Sequence, residues 1–198
     1  MASTTRQLLS AALKDQLRTT PLDKVTVSGL TAQAGITRQT FYYHYADVYD
    51  LAVWVFEQEV ANHIMEHASY SEWAKGYRTL LQYLQDNFEQ AKAVLNSLGH
   101  RERDAFFLEQ FRNMMEAIVT ELEGDLVLTP EDRQFVVDHY AATVLGHFLR
   151  WVSMRQKEDP GILVANIEKI LHGTVRQSLD KFVTVCRLCR CHSAGSGS

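Results

Sequence analysis

The sequence predicts an all-α protein, an N-terminal three-helix helix-turn-helix unit followed by a larger C-terminal helical domain, with about nine helices in total. Three observations carry that expectation. Apolar residues recur at three- and four-residue spacing along nearly the whole chain. Only three Pro and ten Gly occur, and runs of β-branched residues are short, which favours helix over strand. Capping and breaking residues stand where helices would stop and restart, at Thr20-Pro21, Gly35-Ile36-Thr37, Thr129-Pro130 and Asp159-Pro160.

Leu8, Leu9, Ala12, Leu13 and Leu17 form one face of a first helix, spanning residues 4–19. Thr20-Pro21 ends it, because the residue before proline is pushed out of the α region. Thr26 caps a short second helix that turns Val27, Leu30 and Ala34 inward, and Gly35 follows where a positive φ would close it. Thr37 caps a third helix, Arg38 to Tyr45, and this helix, glycine turn, helix order is the helix-turn-helix arrangement. A long fourth helix runs from Asp47 to His67, and the fifth carries Trp73, Tyr77, Leu80, Leu81 and Leu84. A sixth covers Phe88 to Leu98, and a seventh, Arg101 to Glu123, stops at Gly124. The last two begin at the Thr129-Pro130 and Asp159-Pro160 caps, the final one running to Phe182. Three regions follow: 1–46 as the helix-turn-helix unit, 47–183 as a second helical domain, and 184–198 as a flexible tail.

The chain has 198 residues, 46% apolar and 22% charged, which excludes disordered and collagen-like classes. The apolar run Ala141–Leu149 falls far short of the roughly 20 residues that cross a bilayer, and no basic start precedes an apolar core near Met1. A cytoplasmic protein with no membrane partner is expected. Cys186, Cys189 and Cys191 all lie near the C-terminal end, so no disulfide can staple the core. With His192 they offer soft-metal ligands, but consecutive ligands at 191 and 192 suit a tetrahedral site poorly, and no metal or other cofactor is expected. His139 and His147 lie about 80° apart around one helix, a poor chelating pair. No nucleophile motif or phosphate loop points to an enzyme. Charge is uneven: residues 1–45 carry five basic and two acidic side chains, net +3, whereas the rest carries −7. A basic head on an acidic body suits a polyanionic partner at the head.

The third helix concentrates the chemistry. At 100° per residue, Arg38, Gln39, Tyr42 and Tyr43 share a sector of about 140°, while Phe41 points about 160° from Gln39 and Tyr43. Arg and Gln can pair with the edges of guanine and adenine, and Thr and Tyr hydroxyls can donate to phosphate oxygens. A short helix presenting them after a glycine turn fits a major groove of double-stranded DNA.

These residues are arranged as in a known family. The series Thr26-Val27, Leu30, Ala34-Gly35-Ile36-Thr37, Thr40-Phe41-Tyr42, Tyr45 and Leu51 resembles the signature of the TetR family of bacterial regulators. The Arg38–Tyr42 run, Trp54–Glu57, Tyr70–Trp73 and Leu80–Leu84 are similar to the branch that includes activators of dihydroxyacetone-kinase operons. The resemblance implies a homodimer on a palindromic operator, with Ser28, Arg38, Gln39 and Tyr43 reading bases. It implies phosphate contacts from Thr26, Thr37, Thr40, Tyr42 and His44, although His44 also suits the carbonyls that end its own helix. One departure stands out. The family places a Lys where this chain has Val48, flanked by Asp47 and Asp50, so a phosphate contact is lost and negative charge is added.

The resemblance also implies that the last two helices pair with a second copy and that the body answers to a small-molecule effector or a coregulator protein. Apolar stripes suit the pairing: Ala141, Ala142, Val144, Leu145, Phe148 and Val152 with Gly146 as a close-approach point, and Ile162, Leu163, Ile167, Ile170, Leu171, Val175 and Leu179. Tyr77, Tyr83, His100, Phe107, Phe111, His139, His147 and Trp151 could line an effector cavity, though aromatic stripes at helical spacing are ordinarily core. The competing expectation is a helical protein-interaction coregulator with weak or lost DNA binding, and the Val48 departure motivates it.

Overall fold

The computed structural model describes residues 2–97, 99–154 and 158–183, without the side chains of residues 2, 3 and 100. The Cys186–His192 cluster and the tail expected at 184–198 lie outside the described residues. The described chain is all helical: α1 Ala2–Leu17, α2 Val27–Ala34, α3 Arg38–His44, α4 Val48–Met65, α5 Trp73–Asp86, α6 Phe88–Ser97, α7 His100–Glu123, α8 Pro130–Ser153, α9 Pro160–Leu171 and α10 Thr174–Phe182. A 3-10 turn, Leu22–Lys24, links α1 to α2.

The head is α1 to α3 closed over Leu9, Leu13, Leu30 and Phe41, all fully buried. Gly35 ends α2 in the left-handed region at φ 66°, a conformation that costs a residue without Cβ little. Three short-chain caps fix where α2, α3 and α4 begin: Thr26 Oγ1 accepts from Gly29 N, Thr37 Oγ1 from Thr40 N, and Asp47 Oδ1 from Asp50 N. Each satisfies one otherwise orphaned helix N–H.

Helix α4 joins head to body. It packs on α1 and also against α5, α6 and α7, with Val48, Leu51, Val55, Phe56, Val60 and Ile64 buried along its length. At its far end α5 approaches so closely that a Cβ on Gly76 would sit 2.9 Å from the His63 carbonyl oxygen. Only glycine admits that approach. The centre of the body is an aromatic cluster on α5, α7 and α8. Phe107 lies 4.2 Å from Phe148 between ring centroids, and Tyr77 meets Phe111 edge-on at 5.6 Å. Trp151 is buried beside them and its Nε1 donates to the Glu158 carbonyl at 2.9 Å. Of the side chains that could have lined an interior effector cavity, Tyr77, Phe107, Phe111 and Trp151 are therefore filled core, while His139 faces solvent.

The last helix differs from the expected continuous rod over 160–182. It breaks at His172-Gly173, where Gly173 takes φ 81°. Tyr70, from the turn before α5, stabilises the break: its hydroxyl accepts from Gly173 N at 3.0 Å and its ring stacks on His172 at 5.6 Å. The two halves then take different neighbours, α9 packing on α5 and α10 on α7 and α8. Periodicity alone cannot register such a break, because the apolar spacing continues across it.

The apolar stripe expected on α8 is also divided. Ala141, Val144 and Phe148 are buried within the protomer, whereas Ala142 and Gly146 face outward in line with exposed Phe135 and His139. On the C-terminal pair, Leu163, Ile167, Leu171, Val175 and Leu179 turn inward and Ile162 and Ile170 outward. Among the described residues no helix is long and apolar enough to cross a membrane, and no group of His, Cys, Asp and Glu is placed to hold a metal ion.

Candidate nucleic-acid interface

Phe41 fixes the orientation of α3. Its ring is fully buried among the head's core residues, with Tyr42 edge-on at 5.5 Å and Tyr45 tilted at 5.9 Å beside it, and α3 packs on α2. The opposite face is open: Tyr42 is 58% and Tyr43 85% exposed, with Arg38 and Gln39 exposed beside them. The sector inferred from helical geometry is therefore one continuous outward surface. Such large aromatic exposure is unusual on a surface without a partner.

Arg38 is already held in place. Its Nη2 donates to Ser28 Oγ on α2, so two of the expected base-reading residues form one unit across the glycine turn. Gln39 and Tyr43 stand free of that pair. Among the residues expected at phosphates, Thr26 and Thr37 act first as N-caps, and Thr37 and Thr40 share a hydrogen bond between hydroxyls at 2.9 Å. Thr26 accepts through its oxygen and keeps its own hydrogen to donate. His44 is half-buried at the end of α3, its ring 5.1 Å from Tyr43 and 6.3 Å from Tyr45. Tyr45 is buried, and burial is the main cause that pushes its hydroxyl up to about 12, with Arg6 pulling it down and Asp50 adding to the rise. It is a core residue, whereas Tyr42 and Tyr43 before it face outward.

The start of α4 shows what the Val48 departure does. Val48 is 8% exposed and packs into the core. Asp47 accepts from Asp50 N, and Asp50 Oδ2 accepts from Ala46 N at 2.9 Å. Two carboxylates thereby occupy a helix N-terminus that would otherwise attract a phosphate. Sequence reasoning weighs these acids only as charge; the Asp-x-x-Asp spacing is the signal of a capping pair, here with Asp50 reaching past the N-cap to Ala46 N. It also misses the bridges from head to body, Lys14 to Glu59 and Gln90 Nε2 to the Leu17 carbonyl at 3.3 Å. Residues so far apart in sequence give no local sign of meeting.

Residues 71–173, just over half of the chain, match the family described as transcriptional regulator C-terminal region, TetR_C_8. The chain belongs to the TetR family of transcriptional regulators. Its relatives are regulators, not enzymes. The TetR-type chain is 27% identical over 144 residues to the HTH-type dhaKLM operon transcriptional activator DhaS of Lactococcus lactis subsp. lactis (strain IL1403), covering 71% of this chain and 75% of that protein. It superposes on the solved structure of a dihydroxyacetone kinase operon activator DhaS with a TM-score of 0.60 at 23% identity, covering 91% of this chain and 98% of that one. The TetR family repressor AlkX of Dietzia sp. strain DQ12-45-1b, implicated in biodegradation of n-alkanes, gives 0.59 at 16% identity over 90% and 97% of the two chains. These structures share the TetR-family fold, with an N-terminal helix-turn-helix and a helical C-terminal domain.

Proposed function

We propose that this TetR-family regulator is a cytoplasmic homodimer that binds a palindromic operator by placing α3 of each protomer in successive major grooves. Residues 1–46 serve as the DNA-binding unit and 47–183 as the regulatory and dimerisation unit. The observation that carries this reading is the outward Arg38, Gln39, Tyr42 and Tyr43 surface backed by fully buried Phe41. Ser28, Arg38, Gln39 and Tyr43 read base edges; Thr26, Thr37, Thr40, Tyr42 and His44 contact phosphates. The outward row of Phe135, His139, Ala142 and Gly146 on α8 supports an isologous contact with a second copy. A small molecule or protein partner that favours one spacing of the two heads would control occupancy of the operator.

Gel-shift titration with the region upstream of the chain's own operon tests the reading. Arg38→Ala with Tyr42→Phe is expected to abolish the shifted band, since one bidentate base contact alone contributes about 1–3 kcal/mol. A double variant that binds like the parent overturns it. Gln39→Ala is expected to relax base preference at one operator position. Thr40→Ala instead weakens every operator variant alike, by roughly tenfold or less. Selection of operator variants with each protein checks this, and a uniform loss for both contradicts the division of labour.

A second reading, a coregulator with weak DNA binding of its own, draws support from the α4 N-terminus closed by Asp47 and Asp50. It predicts a shallow dependence of binding on salt, because each phosphate contact contributes about −0.9 to the slope of log affinity against log salt concentration.

A further inference from the structure

The seam between head and body holds the most enclosed unassigned space among the described hollows. A cavity of about 450 Å³ opens between α1, α4 and the α5–α6 corner, within the size range of small-molecule sites. The apolar part of its wall is Leu13 and Leu17 from the head and Val55, Phe56, Ala91 and Val94 from the body. Most of its polar side chains are already engaged: Asn87 Nδ2 donates to the Tyr83 carbonyl and Gln90 Nε2 to the Leu17 carbonyl. Lys14 is taken up by Glu59 across the seam. Tyr83 also lines the cavity, and burial, reinforced by the nearby Glu59 charge, pushes its hydroxyl up to about 12, so it persists as a neutral donor. Arg18 remains. Among the described residues its guanidinium has no hydrogen-bonding or ion-pair partner, and it stands where this cavity meets a second hollow of about 470 Å³. That second hollow carries the acids Asp23 and Glu89. The first therefore pairs an uncommitted cation with an apolar wall whose single carboxylate is already neutralised.

We propose that this seam binds a small amphipathic monocarboxylate, its hydrocarbon part in the cavity between α1, α4 and α6 and its carboxylate on Arg18. Arg is suited to the role because its planar fork matches a carboxylate. Two bonds tie head to body at this place, Lys14 to Glu59 and Gln90 to the Leu17 carbonyl. A ligand seated between them bears on both, and changes the angle at which α1, and with it α3, leaves α4. The regulatory half of this proposal rests on the operator-binding reading above; the binding half does not.

The full chain is titrated with 8-anilinonaphthalene-1-sulfonate, an apolar ring system bearing one anion, with decanoate and decanol as competitors. The expected result is a saturable fluorescence gain at one site per protomer, reversed by decanoate at least tenfold more readily than by decanol. Arg18→Gln is expected to weaken the probe and decanoate about tenfold, leave decanol unchanged and preserve the melting temperature. Val94→Phe narrows the cavity and is expected to block the probe; if it loses its cooperative melt, Arg18→Gln alone decides. A silent probe, equal competition by decanol, or an Arg18→Gln chain that binds both anions like the parent overturns the site. Operator affinity is then measured with decanoate present. A change of fivefold or more that Arg18→Gln abolishes supports the regulatory half, and an unchanged affinity overturns it. A chain that takes decanoate through Arg18 yet binds no DNA keeps the site and loses the operator reading.

Discussion

Phe41→Ala is expected to unfold the head and leave the body standing. The ring is fully buried in the head core, where α3 packs on α2, and truncating a buried Phe costs about 3–5 kcal/mol. A three-helix unit this small buries little surface and has little stability to spare. The helical circular dichroism of the head should melt at lower temperature than that of the body. Hydrogen exchange should localise lost protection to residues 1–46, and operator binding should vanish. Tyr43→Ala is the control. At 85% exposure its ring leaves a place already open to water, so stability should hold to within about 0.5 kcal/mol while DNA affinity falls. A Phe41→Ala chain that keeps both its head protection and its operator affinity would contradict the role of Phe41 as the seat of α3.

Gly146→Arg carries the second large effect, and it tests the proposed dimer while sparing the protomer. A Cβ built at Gly146 has no atom within 4 Å, so a side chain there costs the single chain nothing in packing. Replacing glycine in mid-helix gains about 0.5–1 kcal/mol through reduced freedom of the unfolded chain. The melting temperature of the protomer should hold or rise. Across the symmetric contact proposed above, however, two arginines would meet where the small residues of α8 would let the helices approach. Light scattering should therefore report monomer, and operator affinity should fall by about 100-fold or more as the second head is no longer held at a fixed distance. Persistence of the dimer in Gly146→Arg combined with Phe135→Asp would move the interface off α8.

Local chemistry made most of the fold legible before any coordinates. Thr26, Thr37, Thr129 and Asp159 each act as the cap their position suggests, and Gly35 takes the positive φ its place demands. The same holds for the face of α3, since a seven-residue helix with one apolar plug has a single way to sit on a core. Legibility fails where the deciding contact is distant in sequence. The Tyr70 hydroxyl on Gly173, the Gln90 amide on Leu17 and the Arg38 guanidinium on Ser28 all join separate helices or turns. Burial likewise cannot be read from period alone when a helix has neighbours on two sides: Ala141 and Ala142 are identical in type, one buried and the other exposed.

The interruption at Gly173 has a mechanical meaning. An unbroken rod would transmit any tilt of α5 straight into the surface beside α8. With the rod cut and the joint clasped by Tyr70, the two pieces answer to different neighbours, α9 to α5 and α10 to α7 and α8. A shift of α5 is therefore expected to reach α9 before it reaches the platform beneath the outer row of α8.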